Sequence, residues 1–153
     1  MSDFEIGRVA VLGAGKMGST LIHALLQGGG GIAPEQIVAT RRREEPLERR
    51  AETEGVRLER DNRKAVEGAD LVLLCVKPQN VEEVLEEVGG GLREEQVLVS
   101  IAAGVTTGMI ERPLETKVPV VRAMPNTPSL IGSGMTALCG GRWASEAQVE
   151  AAR

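Results

Sequence analysis

Short runs of consecutive apolar residues recur along the chain, each separated from the next by a stretch whose apolar positions fall at helical spacing. The runs at residues 8–12, 37–40, 71–76, 97–101 and 118–124 are apolar on both sides, the pattern of strands covered on both faces of a parallel sheet. A weaker run at 56–58 reads as a third strand, and 135–139 as a further, outer strand. The run at 71–76 is the strongest and is expected at the sheet centre. Pro119 is expected to make the start of its strand an edge, since proline has no N–H to give to a ladder. Residues 16–27 read as a helix with Met17, Leu21, Ala24 and Leu25 on one face, ended by Gly28 to Gly31. A thinly amphipathic helix follows at 46–53, with Leu47 and Ala51 as its apolar face. A short capped helix spans 61–66 and is closed by Gly68. The helix at 81–88 buries Val81, Val84, Leu85 and Val88 and is capped by Asn80. A short helical piece spans 106–114, and residues 143–153 begin another helix. Strands alternating with helices predict an α/β fold: a doubly wound, mostly parallel Rossmann-type sheet with helices on both faces.

The turn after the first strand is Gly13-Ala14-Gly15-Lys16-Met17-Gly18, a Gly-x-Gly-x-x-Gly pattern between a strand and a helix. Gly13 permits the tight turn. Gly15, lacking a Cβ, lets a pyrophosphate approach the backbone. Gly18 lets the helix pack closely on the sheet. The helix N-terminus then offers amides and a positive dipole end to phosphate. In sheets of this kind, ligands bind beyond the C-terminal ends of the strands. The segments Gly13 to Gly18, Thr40 to Arg43, Lys77 to Asn80, Ala102 to Gly104 and Pro125 to Thr127 are therefore expected on one rim.

The residues after the second strand bear on the cofactor. A carboxylate there accepts from the ribose hydroxyls of NAD, whereas basic groups accommodate the 2′-phosphate of NADP. The chain has Thr40-Arg41-Arg42-Arg43 before any acid. Arginine grips phosphate bidentately, so NADP is expected, with NAD left open.

Composition narrows the alternatives. The 153 residues suit one domain. A net charge of −4 provides no basic footprint for nucleic acid, and 1% aromatic content provides no stacking platform for bases. Cys75 and Cys139 lie far apart without metal-ligand spacing, in apolar runs, and are expected as buried free thiols. A reducing cytoplasm fits them, and residues 1–5 do not read as a secretory leader. No apolar run approaches the roughly 18 residues of a membrane span. His23, the one histidine, falls away from the phosphate end of its helix and is expected on the surface.

Four motifs in order carry a resemblance over nearly the whole chain. They are Gly13-Ala14-Gly15-Lys16-Met17-Gly18 after its strand, Val76-Lys77-Pro78-Gln79, Ser100-Ile101-Ala102-Ala103-Gly104-Val105, and Arg122-Ala123-Met124-Pro125-Asn126-Thr127-Pro128. Together they resemble the dinucleotide-binding part of the pyrroline-5-carboxylate reductases, which reduce the ring C=N of Δ1-pyrroline-5-carboxylate to proline. The resemblance implies roles along the rim. Gly13, Lys16 and Met17 would line the pyrophosphate and nicotinamide side. Thr40, Arg41 and Asn62 would surround the adenosine ribose and its 2′-phosphate, with Arg42 as a further cofactor residue. Val76, Lys77 and Pro78 would follow the nicotinamide riboside. Ala102, Ala103 and Gly104 would face the nicotinamide end, and Met124, Pro125, Asn126 and Thr127 would form its pocket and the substrate entrance. On the residues alone, Lys77 also reads as a surface charge, and Asn126-Thr127 as turn chemistry between prolines. No residue of this chain is assigned as a catalytic acid or base, and no metal is expected.

The resemblance further implies a cofactor domain over residues 1–142, with 143–153 leading into an all-helical C-terminal domain that is absent here. That domain makes the family's homo-oligomer and holds its substrate. The chain alone is then expected to bind dinucleotide and to turn over poorly or not at all. The rival readings are another NADP-linked reductase of similar fold and a non-catalytic NADP(H)-binding module.

Overall fold

The computed structural model describes residues 4–28, 30–41, 55–125 and 135–153. The helix expected at 46–53, with Arg42 and Arg43, and the turn at Asn126, Thr127 and Pro128 lie outside the described residues.

Seven strands form one sheet: β1 (Val9–Leu12), β2 (Ile37–Thr40), β3 (Arg57–Glu59), β4 (Leu71–Leu74), β5 (Val97–Ser100), β6 (Val120–Pro125) and β7 (Thr136–Gly140). Their order is β3-β2-β1-β4-β5-β6-β7. All neighbours are parallel except β6 and β7. The chain steps outward from β1 to β3, then returns to the other side of β1 as β4. That reversal opens a crevice beyond the C-terminal ends of β1 and β4, where ligands of doubly wound sheets bind.

The helices are α1 (Lys16–Gln27), α2 (Asn62–Val66), α3 (Val81–Val88), α4 (Thr107–Glu111) and α5 (Glu146–Ala151). Alternation along each strand divides the core in two. Ala10, Leu12, Val72, Leu74, Leu98 and Val120 face α2, α3 and α4, where they meet Ala65, Val66, Val84, Leu85, Val88 and Ile110. Val9, Val11, Ile37, Ala39, Leu73, Val99 and Val121 point the other way, against Ile22, Leu25 and Leu26 of α1 and Val149 of α5. Each fully buried Val, Leu or Ile among them contributes about 1.5–3 kcal/mol relative to exposure. Covering both faces is why β1, β2, β4 and β5 have no exposed residue. Asp61 caps α2 by accepting from Arg63 N–H at 2.9 Å, and Gly68 follows with φ +69°.

Four expectations need correction. Pro119 does not mark an edge: β6 lies between β5 and β7, and Pro119 precedes the strand, offering only its carbonyl, which accepts from Leu98 N–H at 2.9 Å. The buried face of α1 is Gly18, Ser19 and Ile22, with Leu25 and Leu26 partly buried, while Ala24 is exposed. The close seat required by Gly18 rotates the helix to that face. Asn80 occupies the N-cap position of α3 without a side-chain cap bond, because a 3₁₀ turn over Pro78–Asn80 runs straight into the helix. Cys139 is exposed, since β7 is an edge strand. His23 is exposed as expected.

Candidate functional site: a cavity at the strand reversal

The glycine turn is built by close backbone approach. Gly13 has φ +83°, and a Cβ there would lie 2.6 Å from Val76 Cγ1 and 3.0 Å from Val76 N. A Cβ on Gly18 would lie 2.6 Å from the Gly13 carbonyl oxygen and 3.3 Å from Cys75 Cβ. Both glycines are therefore required by packing. Gly15 differs, because a Cβ there would meet nothing within 4 Å and would project into open space. Gly15 occupies the N-cap position of α1 with no side-chain cap, and the first turn holds no acid. The leading amides of this twelve-residue helix are thus left for an anion.

Thr40 closes β2 against this turn. Its carbonyl accepts from Ala14 N–H at 2.7 Å, and its hydroxyl accepts from Gly13 N–H at 3.3 Å. The same hydroxyl donates to Asn62 Oδ1 at 2.6 Å, and Asn62 Nδ2 donates to Glu87 Oε2 at 3.0 Å. A hydrogen-bonded chain therefore runs from the glycine turn through β2 and α2 to α3. Arg63 Nε donates to the Glu87 carbonyl at 3.0 Å, tying α2 to α3 again. Glu59 orders the loop between β3 and α2 by accepting from Arg60 N–H at 2.9 Å and Asp61 N–H at 3.2 Å. Those two amides, led by Asp61, hold the Glu59 carboxyl below its ordinary range.

These elements enclose a cavity of about 500 Å³. Seven of the residues singled out in the sequence line it: Gly13, Gly15, Thr40, Arg41, Asn62, Val76 and Lys77. Gly18 is buried beneath the turn, and Lys16 and Pro78 are exposed outside the cavity lining. Ala102, Ala103 and Gly104 follow β5, and Met124 and Pro125 end β6. They stand at the same end of the sheet without lining this cavity, as Met17 does on α1. Arg42, Asn126 and Thr127 lie outside the described residues.

Arg60, Asn80, Cys75, Val84 and Glu87 complete the wall. Arg60 follows β3, so the strand-end rule, extended to the third strand, finds it. Glu87 carries no such signal: it borders the buried stripe of α3, among three other glutamates of the same helix. Among the described residues, the lining brings Arg41, Arg60 and Lys77 together with one carboxylate, Glu87. This balance favours a polyanion. Desolvation pushes the half-buried Cys75 thiol up to about 12, so it remains protonated at neutral pH and is no nucleophile. The arrangement suits a phosphate-bearing ligand.

The pattern of the family described as NADP oxidoreductase coenzyme F420-dependent matches residues 8–104. The chain is 38% identical over 145 residues to the pyrroline-5-carboxylate reductase of Corynebacterium melassecola, covering 93% of this chain and 53% of that protein. It is 35% identical over 153 residues to the Mycobacterium tuberculosis enzyme, covering 96% of this chain and 51% of that one. Among solved structures, a pyrroline-5-carboxylate reductase from Coxiella burnetii superposes with a TM-score of 0.89 at 34% identity, over 97% of this chain and 54% of that one. The NADP-bound pyrroline carboxylate reductase of Plasmodium falciparum, at 22% identity and a TM-score of 0.81, shares the fold over 99% of this chain and 53% of its own. The chain spans about half the length of the curated relatives it matches.

Proposed function

The chain belongs to the NADP oxidoreductase coenzyme F420-dependent family, and from its similarity to pyrroline-5-carboxylate reductases over about half their length we propose that it binds NADP(H) as the cofactor half of such an enzyme. The observation that carries this reading is the meeting, in one cavity, of an open glycine cradle and the acid-free end of β2. Gly15 leaves space where a Cβ would project, and Arg41 stands where a NAD-specific site places a carboxylate. The residues fit the dinucleotide: a helix N-terminus without a side-chain cap suits the pyrophosphate, and the guanidinium of Arg41 suits a 2′-phosphate.

When bound, NADPH supplies the hydride that passes to the imine carbon. The work of this chain is to hold and orient. Gly13, Gly15 and the leading amides of α1, at Lys16, Met17 and Gly18, seat the pyrophosphate. Thr40 positions Asn62 beside the ribose, and Arg41, with Arg42, pairs with the 2′-phosphate. Val76, Lys77 and Pro78 follow the nicotinamide riboside. Ala102, Ala103, Gly104, Met124, Pro125, Asn126 and Thr127 bound the nicotinamide end and the approach of the substrate. A protonated ring imine is already electrophilic, so alignment of donor and acceptor supplies most of the acceleration. The cofactor unit is assigned to residues 1–142, with 143–153 leading toward the part that holds the substrate. The complete enzyme is read as a cytoplasmic homo-oligomer acting on a small molecule. Among the described residues no helix is long and apolar enough to cross a membrane.

The test is titration of the purified chain with NADPH and NADH, followed by incubation with pyrroline-5-carboxylate and measurement of proline. Tighter binding of NADPH, with slow formation of proline or none, is the expected result. Failure to bind NADPH overturns the cofactor assignment. Proline formed at full rate by this chain alone overturns its reading as the cofactor half.

A further inference from the structure

The carboxylate in the cavity wall is the feature that the cofactor reading leaves unexplained. A group that receives a 2′-phosphate gains nothing from a nearby negative charge, yet Glu87 lines the same cavity as Arg41. Its place in the hydrogen-bonded chain supplies an account. Starting from the pyrophosphate turn, the order is Gly13, Thr40, Asn62, Glu87. A dinucleotide laid along that chain presents pyrophosphate, then ribose, then base. Glu87 stands at the base end, one helical turn from Val84, whose buried side chain also lines the cavity and offers an apolar surface to a ring.

The bonding of Asn62 orients this group. Thr40 Oγ1 accepts from Gly13 N–H, so its own proton is directed to Asn62 Oδ1. That leaves Asn62 Nδ2 as a donor, and it holds Glu87 Oε2 at 3.0 Å. The second carboxylate oxygen, Oε1, has no partner among the described residues. A carboxylate only accepts, so the base edge it suits is one that donates.

Resting on the assignment of the cavity to NADP(H), we propose that Glu87 is the residue that selects adenine, with Oε1 accepting from the exocyclic 6-amino group of the base while Oε2 remains on Asn62. Hypoxanthine replaces that amino group with a carbonyl oxygen, so acceptor would face acceptor. A charge-assisted hydrogen bond present for one base and absent for the other corresponds to about tenfold or more in affinity. Glu87→Gln sharpens the prediction. Its amide oxygen keeps the bond from Asn62 Nδ2, which turns its own NH₂ toward the base. A donor there opposes the amino group of adenine and suits the carbonyl of hypoxanthine.

The experiment measures dissociation constants, by calorimetry or quenching of protein fluorescence, for NADPH, NADH and the hypoxanthine analogues of both. It uses the unsubstituted chain and Glu87→Gln. The expected result is a preference for adenine of about tenfold or more in the unsubstituted chain, for both the phosphorylated and unphosphorylated forms. In Glu87→Gln that preference disappears or reverses. Equal binding of adenine and hypoxanthine forms by the unsubstituted chain overturns the proposal without touching the cofactor reading, as does a preference that survives Glu87→Gln. A Glu87→Gln effect confined to the NADPH/NADH ratio also overturns it, because the carboxylate would then face the ribose. Failure of the unsubstituted chain to bind any of the four ligands overturns the cofactor reading and this proposal with it.

Discussion

The two ends of the cavity are built on opposite plans. At the glycine turn the work is done by backbone, and the residues are close in sequence: Gly13, Gly15 and Gly18 within one turn of chain. At the far end it is done by side chains that β2, α2 and α3 bring from distant positions, with separations of 22 residues from Thr40 to Asn62 and 25 from Asn62 to Glu87. The first end has no room for a Cβ at Gly13 or Gly18. The second depends on each polar atom meeting its partner. Thr40 joins them, since its hydroxyl accepts from Gly13 N–H and donates to Asn62.

The sharpest way to break the comparison is to add one methyl group at the glycine end. Gly13→Ala forces a Cβ onto Val76 at a φ of +83° and is expected to destabilise the fold by about 2–5 kcal/mol, read as a fall in thermal or denaturant midpoint, with dinucleotide binding lost as well. Gly15→Ala is the matched control. Nothing in the protein obstructs its Cβ, so the folding midpoint is expected to change little while NADPH binding weakens. If both substitutions unfold the chain equally, Gly15 is a packing residue and the cradle assignment fails.

Thr40→Val tests the joint between the two ends. It retains the shape of a buried side chain and removes the hydroxyl, leaving Gly13 N–H and Asn62 Oδ1 to find other partners. A loss of about 1–3 kcal/mol in denaturant unfolding is expected, smaller than for Gly13→Ala. An unchanged midpoint would mean that water replaces the hydroxyl at no cost and that the two ends are independent.

At the side-chain end, Arg41→Ala should leave stability nearly unchanged. It should weaken NADPH by about tenfold or more while changing NADH far less, as parallel titrations would read. Equal losses for the two would remove the case for a 2′-phosphate partner at Arg41.

The smallest expected effect concerns Cys75, which lies between the glycine turn and the cavity. Burial pushes its thiol from 9.0 to about 12. Because the folded value is raised, the folded chain keeps a proton that the unfolded chain releases. This contribution is fully present below pH 9 and is lost progressively as pH rises from 9 toward 12. Unfolding monitored across that window should show stability falling with pH, and Cys75→Ser should flatten that fall. At neutral pH a thiol reagent should label exposed Cys139 first. Rapid labelling of both would show that Cys75 is not desolvated.

The contrast also explains what was legible before the fold was known. Strands 37–40 and 97–101, helix 16–27 and helix 81–88 were readable because a parallel strand covered on both faces is continuously apolar and a surface helix repeats every 3.6 residues. Both are properties of neighbouring positions. The glycine turn was readable for the same reason. The side of α1 that packs was not, because Gly18 fits against the Gly13 carbonyl and Cys75 only once β1 and β4 lie side by side. An outer strand at 135–139 was readable, but its antiparallel pairing with β6, which puts β6 inside the sheet, was not.

The sequence by itself determined the alternation of strands and helices, the phosphate-type turn at Gly13–Gly18 and the basic, acid-free end of the second strand at Thr40–Arg41. Each is encoded in residues that touch along the chain. Only the tertiary structure decided that Arg60, Val84 and Glu87 share a cavity with that turn, and that Asn62 is held between Thr40 and Glu87. The strand reversal at β1 and β4 is the physical reason. It brings the ends of β1, β2, β3 and β4 and one edge of α3 to the same opening, a meeting of separate strand ends and one helix edge that no local pattern of hydrophobic and polar residues records.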